Sequence, residues 1–287
     1  SLTNPDKLLS ISFFEDEDPS MFQQVTNNWM NDVEARQINW DEMYFANRKN
    51  LYTVENADGY EGNDITGNRS KYIVEDWRND LQLYGLNTVF NKTLSERSKV
   101  TLGGSGHIHQ TRNYKMVDDL LGGAFWVDID QFALRDFNDE DLAQNNLDQP
   151  NRIITEGEVF GYDYTLNVNR FNVFGQYQYN LRRWDIYVGA EISHTSFWRD
   201  SQFQNGRFPE SSEGKSEVQN FLHFGVKGGA EYKVSGRHFI RANAMLQTRP
   251  PSPKYSYLSP RTRHETVPGL QNETVFGGDL SYLIRYP

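Results

Sequence analysis

The chain has 287 residues, enough for one large all-β domain or two smaller ones, with 37% hydrophobic and 14% aromatic residues. A mean hydropathy of -0.74 and a longest nearly apolar run of only Leu120 to Val127 exclude transmembrane helices, which need about 20 apolar residues. The net charge of -10 argues against nucleic acid as a partner, and the absence of cysteine excludes disulfides and thiolate metal sites.

Lys7 to Phe14 reads as a short strand, followed by a long acidic and aromatic loop over 14–72. A strand from about Ile73 to Thr93 turns through Ser95-Glu96-Arg97 and returns from Lys99 to about Arg112. A second loop covers 113–156. Then Tyr162, Tyr164, Leu166 and Val168 alternate with Asp163, Thr165 and Asn167. Phe171, Val173, Gly175, Tyr177 and Tyr179 continue against Asn172, Gln176, Gln178 and Asn180. A period of two over this length predicts strand. The phase slips near Asn169 to Phe171, through a bulge or a second tight turn, and the bulge is the favoured reading.

Leu181-Arg182-Arg183 turns the chain into Trp184, Ile186, Val188, Ala190 and Ile192, which alternate with polar and small residues. A polar loop over 199–217 precedes a strand from about Val218 to Val234. Ser235-Gly236 is a hairpin signal, and the strand after it runs from about Arg237 to Gln247. The loop 248–272 holds Pro250, Pro251, Pro253, Pro260 and Pro268, and a last strand from about Glu273 is still running at Pro287.

This gives about eight strands, with short connections at one end and long ones at the other, as in outer-membrane barrels. Several strands are far longer than the roughly 5 to 6 residues usual in soluble β-sandwiches, the competing architecture. Tyr177, Tyr179, Trp184, Tyr232 and Tyr282 near strand ends suit interfacial girdles. The fold expected is therefore all-β: an antiparallel sheet of long strands, part of a large outer-membrane β-barrel.

Several runs can be matched to a family. They are Asp119-Leu120-Leu121-Gly122-Gly123-Ala124-Phe125-Trp126-Val127-Asp128-Ile129-Asp130-Gln131-Phe132 and Gly157-Glu158-Val159-Phe160-Gly161-Tyr162-Asp163-Tyr164. Phe197-Trp198-Arg199, Asn205-Gly206-Arg207-Phe208-Pro209, Gly214-Lys215-Ser216, Val226-Lys227-Gly228-Gly229, Ser259-Pro260-Arg261-Thr262 and Gly269-Leu270-Gln271-Asn272-Glu273 follow in order. The series, from roughly Gln37 onward, resembles TonB-dependent outer-membrane receptors of the Bacteroidetes type.

The resemblance implies energy-coupled import of a scarce nutrient (glycan, peptide, siderophore or vitamin) across the cell outer membrane. It also implies outer-membrane lipid, the TonB complex acting through the parent receptor, and a surface lipoprotein as partners. Barrels of that class have about 22 strands, so eight imply a portion of a wall of roughly 800 residues. No plug domain, TonB box, leader or terminal aromatic strand end is recognised, in keeping with a fragment. A ligand-binding or adhesion scaffold without transport, and a small passive porin, are the competing functions.

Chemistry-bearing residues are sparse. His107-Ile108-His109 has a metal-ligand spacing on one strand face shared with Ser105 and Thr111, which favours polar packing. Asp128 and Asp130, near Asp136, Asn138, Asp139, Glu140 and Asp141, are weak calcium candidates lacking EF-hand spacing, and Glu15-Asp16-Glu17-Asp18 reads as a solvated run. Gly103, Gly104 and Gly106 lie in a strand pattern rather than a nucleotide loop, and Ser105 is not in a nucleophile elbow. No enzyme and no cofactor are expected. The loop aromatics suit ligand contact by stacking, with Trp40, Tyr44, Trp126, Phe208 and Tyr255 as candidates.

Overall fold

The computed structural model describes residues 18–286. The expected strand Lys7–Phe14, the first three residues of the acidic run and Pro287 lie outside the described residues. Helices α1 (Pro19–Asn31), α2 (Val33–Arg36) and α3 (Trp40–Arg48) come first, then a hairpin of β1 (Leu51–Val54) and β2 (Ile65–Asn68). The sheet begins with β3 (Val74–Ser95) and β4 (Ser98–Asp119). The next connection carries β5 (Trp126–Val127), α4 (Gln131–Phe137), α5 (Glu140–Ala143) and β6 (Ile153–Ile154). Strands β7 (Val159–Asn180), β8 (Trp184–Ser201), the two-residue β9 (Gly214–Lys215), β10 (Gln219–Lys233), β11 (His238–Arg249) and β12 (Glu273–Ile284) complete it.

The long strands form an antiparallel meander in the order β12-β11-β10-β8-β7-β4-β3, with β9 on β8. The sheet is not closed, because β3 and β12 each pair on one side only. Strands β3, β4 and β7 each run 22 residues and β8 runs 18. The short turns at 96–97, 181–183 and 234–237 share one end of the sheet, here the turn end. The connections 120–158, 202–218 and 250–272 share the other, the loop end.

The loop bounds differ from those expected. Strand β4 continues seven residues past Arg112 to Asp119, so the loop expected from 113 starts at 120. The loops expected from 199 and 248 start at 202 and 250. Within 14–72 the described chain is partly helical rather than open loop.

The expected bulge near Asn169 to Phe171 is absent. Both ladders of β7 run through that point without a shift, pairing Phe171 with Gly106 on one side and His194 on the other. The register shift lies instead where Tyr114 faces Asp163 and Lys115 faces Phe160, leaving Gly161 and Tyr162 as extra residues. Gly161 sits at φ +74, and a Cβ there would strike the Lys115 side chain, so this bulge requires glycine.

What changes near Asn169 is the chemistry of the two faces. On one face, Phe171, Val173, Tyr177 and Tyr179 are apolar toward the turn end, whereas Thr165, Asn167 and Asn169 are polar toward the loop end. On the other, Asn172, Gln176 and Gln178 are polar toward the turn end, and Tyr164, Leu166 and Val168 are apolar toward the loop end.

The neighbouring strands keep the same division. Ile186, Val188, Ala190 and Ile192 of β8 align with Ala230, Gly228, Val226 and Phe224 of β10, and these with Ala242, Ala244 and Leu246 of β11. This apolar face is exposed: Val188 is 56%, Leu222 64% and Leu280 77% accessible. Its turn-end border is aromatic, with Trp184 against Tyr232 at 4.7 Å, Tyr177 stacked on Tyr179 at 6.3 Å and Tyr282 stacked on His238 at 5.8 Å. Its loop-end border is polar, as in the Gln110 Nε2 bond to Asn167 Oδ1 at 3.0 Å.

The opposite face carries charge over the same span. Lys233 reaches Asp185 at 2.6 Å, Arg241 Nε donates to Glu231 at 3.0 Å, and Tyr187 Oη donates to Asn243 at 3.0 Å. Toward the loop end it turns apolar, where Phe197, Phe221 and Tyr257 form a buried cluster with Leu166, Val168 and Leu270. Tyr257 and Leu270 come from the β11–β12 connection, so that connection covers this part of the sheet.

Candidate functional site

The long connections form a folded layer at the loop end, and its helices follow local capping chemistry. Asp18 accepts from the Met21 amide at 3.0 Å and Asn39 from Glu42 at 3.0 Å, while Asp32, Asp130 and Asp139 cap α2, α4 and α5 in the same way. Two apolar clusters hold the layer: Val54, Ala57, Phe125 and Val127, and Val117, Leu120, Ile154 and Phe160.

Asn47 fixes α3 to the sheet entrance. Fully buried, its Nδ2 lies within hydrogen-bonding distance of the carbonyls of Tyr72 (2.8 Å), Leu120 (2.9 Å) and Leu121 (3.2 Å). Its Oδ1 accepts from the amides of Lys71 (2.8 Å) and Tyr72 (3.1 Å). Asn47→Ala strands these backbone groups and is expected to cost about 2–4 kcal/mol. Hydrogen exchange checks it: the Lys71 and Tyr72 amides should lose protection, with Asn47→Asp intermediate.

Arg199 is the second fixing point. It is 1% exposed; Nε donates to the Pro260 carbonyl at 2.6 Å, Nη1 donates to the Ser212 carbonyl at 2.8 Å, and the guanidinium lies 5.3 Å from the Tyr164 ring centre. One side chain on β8 thus holds both the β8–β10 and β11–β12 connections.

His264 sits nearby, with Nδ1 buried and without a partner among the described residues. Burial and the Arg199 charge push its pKa below the ordinary 6.5, against an opposing effect of Glu265. The unfolded state then binds more protons below pH about 6.5, so stability falls as pH drops through that value. The backbone bond from Leu258 to Glu265 should lose exchange protection between pH 7.5 and 5.5, once intrinsic rates are corrected. His264→Gln should remove that dependence.

The expected ligand residues scatter. Trp40 starts α3 and is 47% exposed, and Tyr255 is 74% exposed with Lys254 over its ring. Tyr44 is half-buried, donates to Asp119 Oδ2 at 3.4 Å and lies under Arg48. Trp126 packs edge-on against Phe160 at 6.3 Å as part of an apolar cluster. Phe208 lies between Arg207 and Arg263, at 5.6 and 4.5 Å.

The calcium candidates have other partners. Asp128 is fully buried and binds Arg152 (2.8 Å), Asn145 (2.9 Å) and the Gly161 amide (2.8 Å). Burial pushes its carboxyl up, and those three partners pull it down. Asp130 caps α4 and lies 3.5 Å from Arg207. His109 Nε2 shares a 3.0 Å hydrogen bond with Thr111 Oγ1.

The layer also encloses a cavity of about 290 Å³ between β1, the residue after β2, and the α4–α5 segment. Its walls are Tyr52, Thr53, Val54, Glu55, Arg69, Val127, Ile129, Leu134, Glu140, Ala143, Gln144 and Asn151. None of the five aromatic candidates lines it. Arg69 lies 4.9 Å above the Tyr52 ring, and burial lowers its pKa, with Tyr52 opposing.

Neither the known protein-family models nor the curated proteins contain a match to this chain.

Proposed function

We propose that the sheet is a section of an outer-membrane β-barrel wall, belonging to a TonB-dependent receptor that imports a scarce nutrient by energy-coupled transport. The exchange of face chemistry along the strands carries this reading. Leu222 to Tyr232 spans about ten residue steps, about 34 Å along the strand and about 25 Å along the membrane normal at a tilt of about 45°. That is the height of a lipid-facing band, and aromatic residues border it at the turn end. An exposed apolar surface of this extent in water would be an association site, whereas lipid tails cover it at no cost. The polar opposite face then borders the lumen, and the folded connections face the medium. The open edges at β3 and β12 are where further wall would join. The ordered series of receptor-like motifs supports the assignment to an importer.

Diluted from urea into phospholipid vesicles, the chain is expected to float with them, resist carbonate extraction and leave the long connections as the protease-sensitive parts. A chain that stays soluble and monomeric without detergent or lipid contradicts the wall reading. Transport is tested on the whole receptor in cells: uptake abolished by a protonophore supports energy-coupled import. Persistent uptake means passive diffusion, and binding without uptake means a surface scaffold.

A further inference from the structure

The cavity in the loop layer combines charges of both signs that lack ion-pair partners with a mixed lining of polar and aliphatic side chains. Arg69 is half-buried, and Glu55 and Glu140 stand at the walls. Among the described residues, none of the three has an ion-pair partner within 4.0 Å. A guanidinium withdrawn from water without a carboxylate is a ready partner for an anionic ligand group, which it can bind through two parallel hydrogen bonds. The amides of Gln144 and Asn151 are already committed to each other, the Gln144 side chain accepting from the Asn151 backbone at 2.8 Å. The charged groups are therefore what a ligand would meet.

We propose that this cavity binds the free carboxyl end of a short peptide. The carboxylate sits on Arg69, the ammonium end lies toward Glu55 and Glu140, and an apolar side chain rests against Val54 and Ile129. Two features favour a peptide over a sugar. The ring that a sugar would stack on, Tyr52, already carries Arg69 on one face. The other apolar residues of the lining, Val54, Val127, Ile129, Leu134 and Ala143, are aliphatic rather than aromatic, which suits a leucine-like side chain better than a flat pyranose. The site is built from three separate stretches of the chain, so it forms only when the loop layer is folded.

The inference rests on the connections facing the medium, and its test is read separately from insertion or transport. The full chain in detergent is titrated calorimetrically with leucyl-leucine, its C-terminal amide, its N-acetyl form and maltotriose. Saturable binding of leucyl-leucine is expected, at least tenfold weaker for the amide and for Arg69→Gln, and several-fold weaker for the N-acetyl form and for Glu140→Gln. Glu140 is exposed on a short helix, so its variant folds even if the Arg69 variant does not, and the amidated peptide probes the same contact on the native chain. No saturable binding at millimolar peptide, or binding indifferent to amidation, overturns the proposal. So does tighter binding of maltotriose, which makes the cavity a glycan site. A chain that inserts into vesicles but ignores the dipeptide sinks only this inference; one that binds it but never inserts sinks only the wall reading.

Discussion

Arg199→Met is expected to release two loops at once, at a cost of about 3 kcal/mol. Methionine keeps most of the aliphatic volume but donates nothing, so the Pro260 and Ser212 carbonyls lose their partners inside the layer. Each buried unmet acceptor costs about 1–3 kcal/mol, and the contact with the Tyr164 ring is lost as well. The effect is local in space but not in sequence. Amides in 202–217 and in 250–272 should gain exchange together, although about fifty residues separate the two ends of that network, while the turn-end ladders of β7 and β8 keep their protection. Arg199→Lys retains charge but reaches only one carbonyl at a time, so it should recover part of the loss. Independent opening of the two loops in Arg199→Met would refute this role.

The second large effect is on the apolar face. Val226 stands between Ala190 and Leu246 in the ladder, near the middle of the proposed lipid band. Arginine there is expected to cost about 2–4 kcal/mol in a bilayer, the penalty for a charge near the midplane of a barrel wall. Gln176→Arg, on the polar face at similar height, should cost little. In a water-facing sheet the order vanishes, because a surface substitution at Val226 would stay within about 0.5 kcal/mol. Urea titrations of the two variants refolded into vesicles compare them directly.

The long strands were legible because period two survives any change in what the faces touch. The bulge expected near Asn169 has a related origin: alternation marks which residues are apolar, and there the apolar set changes face without any change in backbone register. A strand whose exposed apolar stretch ends on one face at the height where a buried apolar cluster begins on the other reads as a phase slip. Gly161, the true bulge, was visible as a glycine but not as a left-handed one.

The loop helices carry local sequence signals, since Asp18 before Pro19, Asn39, Asp130 and Asp139 are all capping residues. The site was less legible. Trp126 and Tyr44 carry the composition of ligand contacts; in the fold Trp126 packs, partly buried, against an apolar cluster and Tyr44 donates to Asp119. The cavity joins Arg69 to Glu140 across about seventy residues of chain, a juxtaposition that only folding of the layer creates. No local spacing encodes it.

The proposed lipid-facing and lumen-facing division of the sheet is tested most directly by a label scan along β10. The chain has no cysteine, so single cysteines from Phe221 to Tyr232 can each carry an environment-sensitive fluorophore in vesicles containing brominated lipid. The account predicts strong quenching at Leu222, Phe224, Val226, Gly228 and Ala230, and weak quenching at His223, Gly225, Lys227 and Gly229. Uniform quenching along the strand, or quenching of the odd-numbered positions instead, would contradict it.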